Sequence, residues 1–425
     1  MNPCSRSFPV SLLIAICVAG IFSELAGLQA VRAAGPQPLA PRFEVDPMWP
    51  KPLPNHWILG HAVGVAVDAQ DHIWIVHRPG TLEVMESYAQ TNPPSAECCV
   101  AAPPVLEFDQ EGNLINHWGG PGEGYDWPLS MHGIAIDPDG NVWIGGNGRG
   151  DPPAKTNAAA GDSNSTANGA LAPYHDCMVL KFTPQGKFLM QIGKAGQSKG
   201  SNDVENLKGP AKIWFDAPTK EVYIADGYGN RRVIVFDYQT GKYKRHWGAY
   251  GKRPTDDNPG PYVAGSKNEP QFRTPVHSAI VSNDRLVYVC DRVNDRIQIF
   301  KPDGTFVAEH YYYTNTLGDG SVWDLAFSKD PEQRFMYVAD GANEKIRIMD
   351  RKSMEILTSF GDGGRQPGEF YAVHSIFVDS KGNLFTTETY GGRRVQKFVY
   401  KGLAPVTSKE QGILWPKTAK SPLQK

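Results

Sequence analysis

Several things are scarce in this sequence, and each shortage removes a class of function. Its 425 residues carry a formal net charge of only −2, so there is no basic field to hold nucleic acid and no extreme acidity. Six cysteines are present, but no C-x-x-C pair and no haem-attachment motif, which argues against a thiolate zinc site. Long apolar runs are equally scarce. VSLLIAICVAGIF (10–22) follows Arg6 and precedes the small residues of VRAAG (31–35), a pattern that predicts an export signal over residues 1–34, cleaved near Ala33 or Ala34. The run is short for a membrane span and no other segment approaches one. An exported protein without a span, in an oxidising compartment, is the expectation.

Four cysteines follow the signal. Cys98 and Cys99 are adjacent, so either a vicinal disulfide or a bond from one of them to Cys177 fits. Cys290 lies in an apolar strand pattern and reads as a buried free thiol.

What the chain does have is turns and repeats. It contains 44 glycines and 34 prolines, and six segments align as the start of a unit: AVGVAVD (62–68), MHGIAID (131–137), PAKIWFD (210–216), VHSAIVS (276–282), VWDLAFS (322–328) and VHSIFVD (373–379). Each precedes a short turn and a second strand, such as VYIADGY (222–228) or VYVCDRV (287–293), and then a third, such as RVIVFD (232–237). Short β-branched and aromatic strands between Asp-Gly-type turns predict an all-β protein. Six four-stranded units predict a six-bladed β-propeller, because radial repetition protects strand edges. The predicted propeller spans 41–403, with PRFEVD (41–46) completing the sixth blade and an irregular tail over 404–425. Two inserts, 80–103 and 149–173, follow second strands, and the composition of the second predicts disorder.

In an antiparallel blade the first strand starts at the face where the second ends. First strands line the central channel, so the starting slots Val63, His132, Ala211, His277, Trp323 and His374 ring the axis. Histidine occupies blades two, four and six, about 120° apart in a six-fold ring. Three imidazoles converging from three sides can hold zinc and leave a position open. The second strands end on the same face. Arg78 and Arg292 can each present a planar fork to a carboxylate, or serve an ion pair inside a blade. Tyr228 is a packing residue or, beside a metal, a proton acceptor. The acidic exit residues Asp226, Asp291, Asp340 and Glu388 are expected to cap turns.

The segments IVHR, MHGIAID, ADGYGNRR, VHSAIVSNDRLVYVCDRVNDRIQIF and FYAVHSIFVD resemble the peptidyl-α-hydroxyglycine α-amidating lyase family, an NHL-type six-bladed propeller, over about residues 60–400. The resemblance implies that His132, His277 and His374 bind catalytic zinc, that Tyr228 is the catalytic tyrosine, and that Arg78 and Arg292 are active-site arginines. It implies cleavage of the C–N bond of an α-hydroxyglycine substrate to an amide and glyoxylate. The family aspartate that helps bind a structural calcium is here Ser375, which puts calcium in doubt. A family cysteine is here Gly229, so that disulfide is absent. The expected partner is a small molecule or peptide bearing a carboxylate, acted on by a monomer. Two other readings fit the same sequence: an NHL propeller acting as a binding module, and another metal-dependent lyase or hydrolase acting on a small carboxylate or lactone.

Overall fold

The computed structural model describes residues 37–150 and 173–417. The predicted export signal, nearly all of the second insert and residues 418–425 lie outside the described residues. Within the compact unit Pro38–Lys425, the chain forms six four-stranded antiparallel sheets. Their first strands are His61–Val67, Met131–Ile136, Pro210–Asp216, Val276–Val281, Asp324–Phe327 and Val373–Val378. Each packs against the next and the last against the first, so the ring is closed. This is a six-bladed β-propeller, as the repeats predict.

Closure joins the two ends of the repeat region. Leu39–Asp46 pairs antiparallel with Arg394–Pro405, with Phe43 opposite Tyr400, and becomes the outer strand of blade six. Beyond it, Leu414 exchanges backbone hydrogen bonds with Phe43 and Val45 at 3.0 Å each.

Inner strands are sandwiched between blades and are buried on both faces, as in Glu221–Asp226 and Phe335–Asp340. Only outer strands such as Leu114–Trp118 show the two-residue alternation of a half-exposed strand. The acidic exit residues do more than cap turns. Asp226 pairs with Arg232 at 2.9 Å, Asp291 with Arg296 at 2.8 Å, Asp340 with Arg347 at 2.9 Å and Glu388 with Arg394 at 2.6 Å. Each joins the second and third strands of its blade. Removing one partner of such a buried pair costs about 3–5 kcal/mol.

Cys98 and Cys99 form a vicinal disulfide, while Cys177 and Cys290 are buried free thiols. Burial pushes the Cys177 thiol up to about 11, so it is not a nucleophile at neutral pH. The insert that carries the disulfide is tied down twice. Val100–Ala101 pairs in parallel with Trp57–Ile58, and Arg393 of blade six bridges to Glu83 and Glu86.

Candidate metal centre

The three slot histidines sit at irregularities in their strands. Pairing of first with second strand slips between Val276 and Ser278, between Val373 and Ser375, and between Met131 and Ile134. The slipped residues are His277, His374 and the His132-Gly133 pair. A bulge re-aims a side chain that regular pleating would send into a neighbouring blade, and here it turns each imidazole toward the axis. The rings form a nearly equilateral cluster, with centroids 4.9, 4.6 and 4.8 Å apart. All three are buried, and their ligand atoms lie within 4.8 Å of one another.

The intervening blades orient these rings. His132 Nδ1 donates to the Ala211 carbonyl at 3.1 Å, His277 Nδ1 to Trp323 at 2.6 Å and His374 Nδ1 to Val63 at 2.7 Å. Ala211, Trp323 and Val63 are the slot residues of blades three, five and one, so each histidine is held by the next blade around the ring. A carbonyl can only accept, so Nδ1 carries the proton and the Nε2 lone pair is left to the axis. Burial holds all three groups well below the usual imidazole range, followed by neighbouring imidazoles and an arginine for His132 and His277 and by Arg78 and Arg292 for His374. They are neutral at physiological pH. Three neutral, oriented nitrogen donors are a fitting set for a metal ion.

Tyr228 reaches the same point. Its hydroxyl lies 2.9 Å from His132 Nε2 and 3.1 Å from His277 Nε2. Gly227 lets the chain approach closely enough: a Cβ there would collide with the backbone of Val276, one residue before His277. Tyr174 fixes the other side, its hydroxyl donating to the Tyr228 carbonyl at 2.5 Å. Burial pushes the Tyr228 phenol above its ordinary value, against the pull of Arg292 and Arg78. The chain's own charges therefore do not make it an acid.

Both predicted arginines are there. Arg78 donates from Nε to the Met131 carbonyl at 2.9 Å and from Nη2 to Asn147 Oδ1 at 2.9 Å. Arg292 stacks on Trp323, 4.6 Å from the ring centroid, and pairs through Nη2 with Asp319 Oδ1 at 2.7 Å. Asp319 lies ahead of blade five, so this is not an ion pair within a blade. Arg292 Nε is buried with no hydrogen-bond partner, a donor in want of an acceptor. Sequence reasoning gives no role to Asn147, Tyr174, Asp319 or Tyr390, whose hydroxyl faces Asp319 Oδ2 at 3.4 Å. Tyr174 and Asp319 lie on loops outside the repeat and carry no local signal, whereas Asn147 and Tyr390 follow the second strands of blades two and six, at the exits that Arg78 and Tyr228 hold in theirs.

His77, a possible base by its position in sequence, is excluded by geometry. Its Nδ1 accepts from the Gly60 amide at 3.1 Å and its Nε2 donates to the Pro103 carbonyl at 3.0 Å. It replaces the exit carboxylate of other blades, where Asp226 and Asp291 accept amides of Lys208 and Arg273. Burial lowers its pKa to about 4. Unfolded, it takes up a proton near its ordinary value, so its contribution to stability is complete above about pH 6.5 and is lost as the pH falls toward about 4. Nitrogen-15 NMR should find His77 neutral at pH 5.5, and unfolding should become easier from pH 7 to pH 5. A His77 titration midpoint near 6.5 would show the buried arrangement to be wrong.

Besides a void of about 10 Å³ behind the histidines, two cavities meet the axis among the described residues. The larger, about 640 Å³, opens on the opposite face among Trp214, Phe377, Glu107 and Lys212 and contains none of the three histidines. The smaller, about 150 Å³, is bounded by Arg78, Asn147, Tyr174, Tyr228, His374 and Tyr390, and is where the convergent polar groups lie. Calcium does not fit beside His374. Ser375 Oγ receives a hydrogen bond from the Lys212 ammonium at 3.1 Å, and that ammonium lies 2.6 Å from Asp324 Oδ2. A positive charge of the chain already stands there.

Residues 128–148 match the family described as two component regulator propeller. The chain is 28% identical over 268 residues to mouse peptidyl-glycine alpha-amidating monooxygenase, covering 61% of this chain and 22% of that protein. It is 22% identical over 372 residues to mouse NHL repeat-containing protein 3, covering 84% of each. The chain thus spans about a fifth of the length of the amidating relative. Among solved structures, a streptogramin B lyase aligns with a TM-score of 0.48 and 10% identity over 85% of this chain and 98% of that one.

Proposed function

We propose that this chain is a zinc-dependent lyase that cleaves the C–N bond of an α-hydroxyglycine-type substrate, giving an amide and glyoxylate. The reading is carried by one observation: the Tyr228 hydroxyl lies within 3.1 Å of two of three inward-facing imidazole nitrogens, with Arg78 and Arg292 flanking it. The similarity to peptidyl-glycine alpha-amidating monooxygenase supports it. Three imidazoles with one position open are a zinc set, and the ion would supply Lewis acidity toward a hydroxyl and lower the pKa of groups beside it.

The rest of the chemistry belongs to the chain. Arg292, with its buried and unpartnered Nε, anchors the substrate carboxylate, and Arg78 adds positive charge from the opposite wall. Tyr228, as phenolate, takes the proton of the α-hydroxyl. The oxygen's electron pair forms the carbonyl of glyoxylate as the C–N bond breaks, and the departing amide nitrogen takes up the proton that Tyr228 removed, which restores the phenolate. Trp323 and Tyr390 wall the centre, where a reduced dielectric strengthens each of these interactions. The substrate is a small molecule or peptide with a free carboxylate. The protein acts as a monomer after export.

The direct experiment is metal analysis joined to glyoxylate release from an α-hydroxyglycine peptide. Zinc-loaded protein that releases none refutes the reading, and a propeller holding no metal would instead be a binding module. The arginines give a sharper test. Arg292→Lys and Arg78→Lys should each lower kcat/KM by about a hundredfold, nearly as much as alanine, because a point charge cannot replace a two-pronged donor. Full activity in both lysine variants would assign the arginines to structure.

A further inference from the structure

Directly behind the histidines the axis is closed by charge. Lys212 follows the blade-three slot residue, and its ammonium lies 2.6 Å from Asp324 Oδ2 of blade five and 3.1 Å from Ser375 Oγ of blade six. The same Asp324 oxygen accepts from Ser375 Oγ at 2.9 Å and from the Ile376 amide at 3.0 Å. Lys212 is 6% exposed and Asp324 1%. The space left beside them, bounded by Val63, Ile134, Ala211 and the three histidines, is about 10 Å³. That is at the lower limit for one water molecule.

A lysine ammonium is seldom buried, because desolvating it is expensive unless a carboxylate and further acceptors meet it. Here one of each is supplied, from two other blades. We infer that Lys212 is a built-in cation, standing where a divalent ion would otherwise join the blades around the axis. The resemblance to the amidating lyases implies a calcium beside the third histidine, and the residues present exclude it. One carboxylate against one ammonium leaves no net negative charge to attract an ion. A divalent cation entering the void would meet the ammonium at close range in a medium of low dielectric. The tethered charge ties blades three, five and six together and cannot be removed by a chelator. The axis of this propeller is therefore independent of calcium.

The test reads stability and ion content and needs no activity, so it stands apart from the lyase assignment. Wild-type protein equilibrated with millimolar calcium and then desalted should retain no stoichiometric calcium, and should melt at the same temperature with and without it. Lys212→Ala empties the seat and leaves Asp324 and Ser375 as oxygen ligands. It should melt several degrees below wild type and regain several degrees in millimolar calcium, and Lys212→Ala with Asp324→Asn should lose that response. Should Lys212→Ala not fold, the charge-neutral pair Lys212→Met with Asp324→Asn should recover a folded, calcium-blind propeller, because removing both partners leaves no unpaired buried charge. A wild type that keeps about one calcium per chain, or that melts several degrees higher with calcium, overturns the inference. So does a Lys212→Ala protein that melts like wild type and ignores calcium, or a neutral double variant that fails to fold.

Discussion

Replacing His132, His277 or His374 with alanine should each remove most of the bound metal and abolish glyoxylate release while leaving an intact all-β circular dichroism spectrum. Wild-type protein expressed with ample zinc should carry about one zinc per chain, since three imidazoles and one exchangeable position complete a tetrahedral set. On the zinc reading each ring would supply one of the three protein ligands, so no remaining pair could compensate. The fold should survive because the slot side chains line the axis, whereas the blades are held by strand pairing and by the ion pairs from Asp226–Arg232 to Glu388–Arg394. Behind the ligands, the Lys212–Asp324 pair keeps the axis closed. Elemental analysis beside circular dichroism separates the outcomes. A wild type without stoichiometric transition metal would end the zinc reading, and an alanine variant that keeps both metal and activity would remove that residue from the ligand set.

Tyr228→Phe should lower kcat by about 10²–10⁴-fold, the usual contribution of a positioned general base, with metal content and melting temperature close to wild type. The change deletes only the hydroxyl that lies 2.9 Å from His132 Nε2 and 3.1 Å from His277 Nε2. The ring keeps its edge contact with His132 at 4.8 Å between centroids, and its backbone stays anchored by Tyr174. Burial raises this phenol above its ordinary value, so only the protein with its metal should show an acidified tyrosine. Ultraviolet difference titration of apo and zinc-loaded protein can detect that split. A Tyr228→Phe enzyme working within about threefold of wild type would make Tyr228 a packing residue. His77 could not take its place, since both its ring nitrogens are engaged by Gly60 and Pro103.

Much of the site is legible in the sequence because the fold is periodic. A blade that recurs along the chain becomes a rotation in space, so three histidines in alternate slots must point at one another from three sides. Arg78, Tyr228 and Arg292 follow from the same logic, since second strands end where first strands begin. The exit acids were legible as structural. Their partners were not assigned, although Arg232, Arg296 and Arg394 each open the third strand of the same blade and stand opposite their acids in register. In blade five Lys345 holds that opposing position, and Arg347, two residues further along the strand, reaches back to Asp340 instead.

The number of blades, the face on which the three histidines converge and the identity of the groups around them all follow from side-chain type at a repeating position, which the letters record. How those groups are held depends on the closed ring. The carbonyls of Val63, Ala211 and Trp323 orient the imidazoles, and a backbone oxygen is the same whatever residue bears it, so no pattern of letters reveals it. Tyr174 and Asp319 come from loops with no counterpart in the other blades, and only chain closure brings them to Tyr228 and Arg292. Lys212 looks like an ordinary strand lysine beside Ala211. It becomes a buried cation because Asp324 and Ser375, 112 and 163 residues further on, meet it on the axis, and a charge can stay in the core only where such partners arrive.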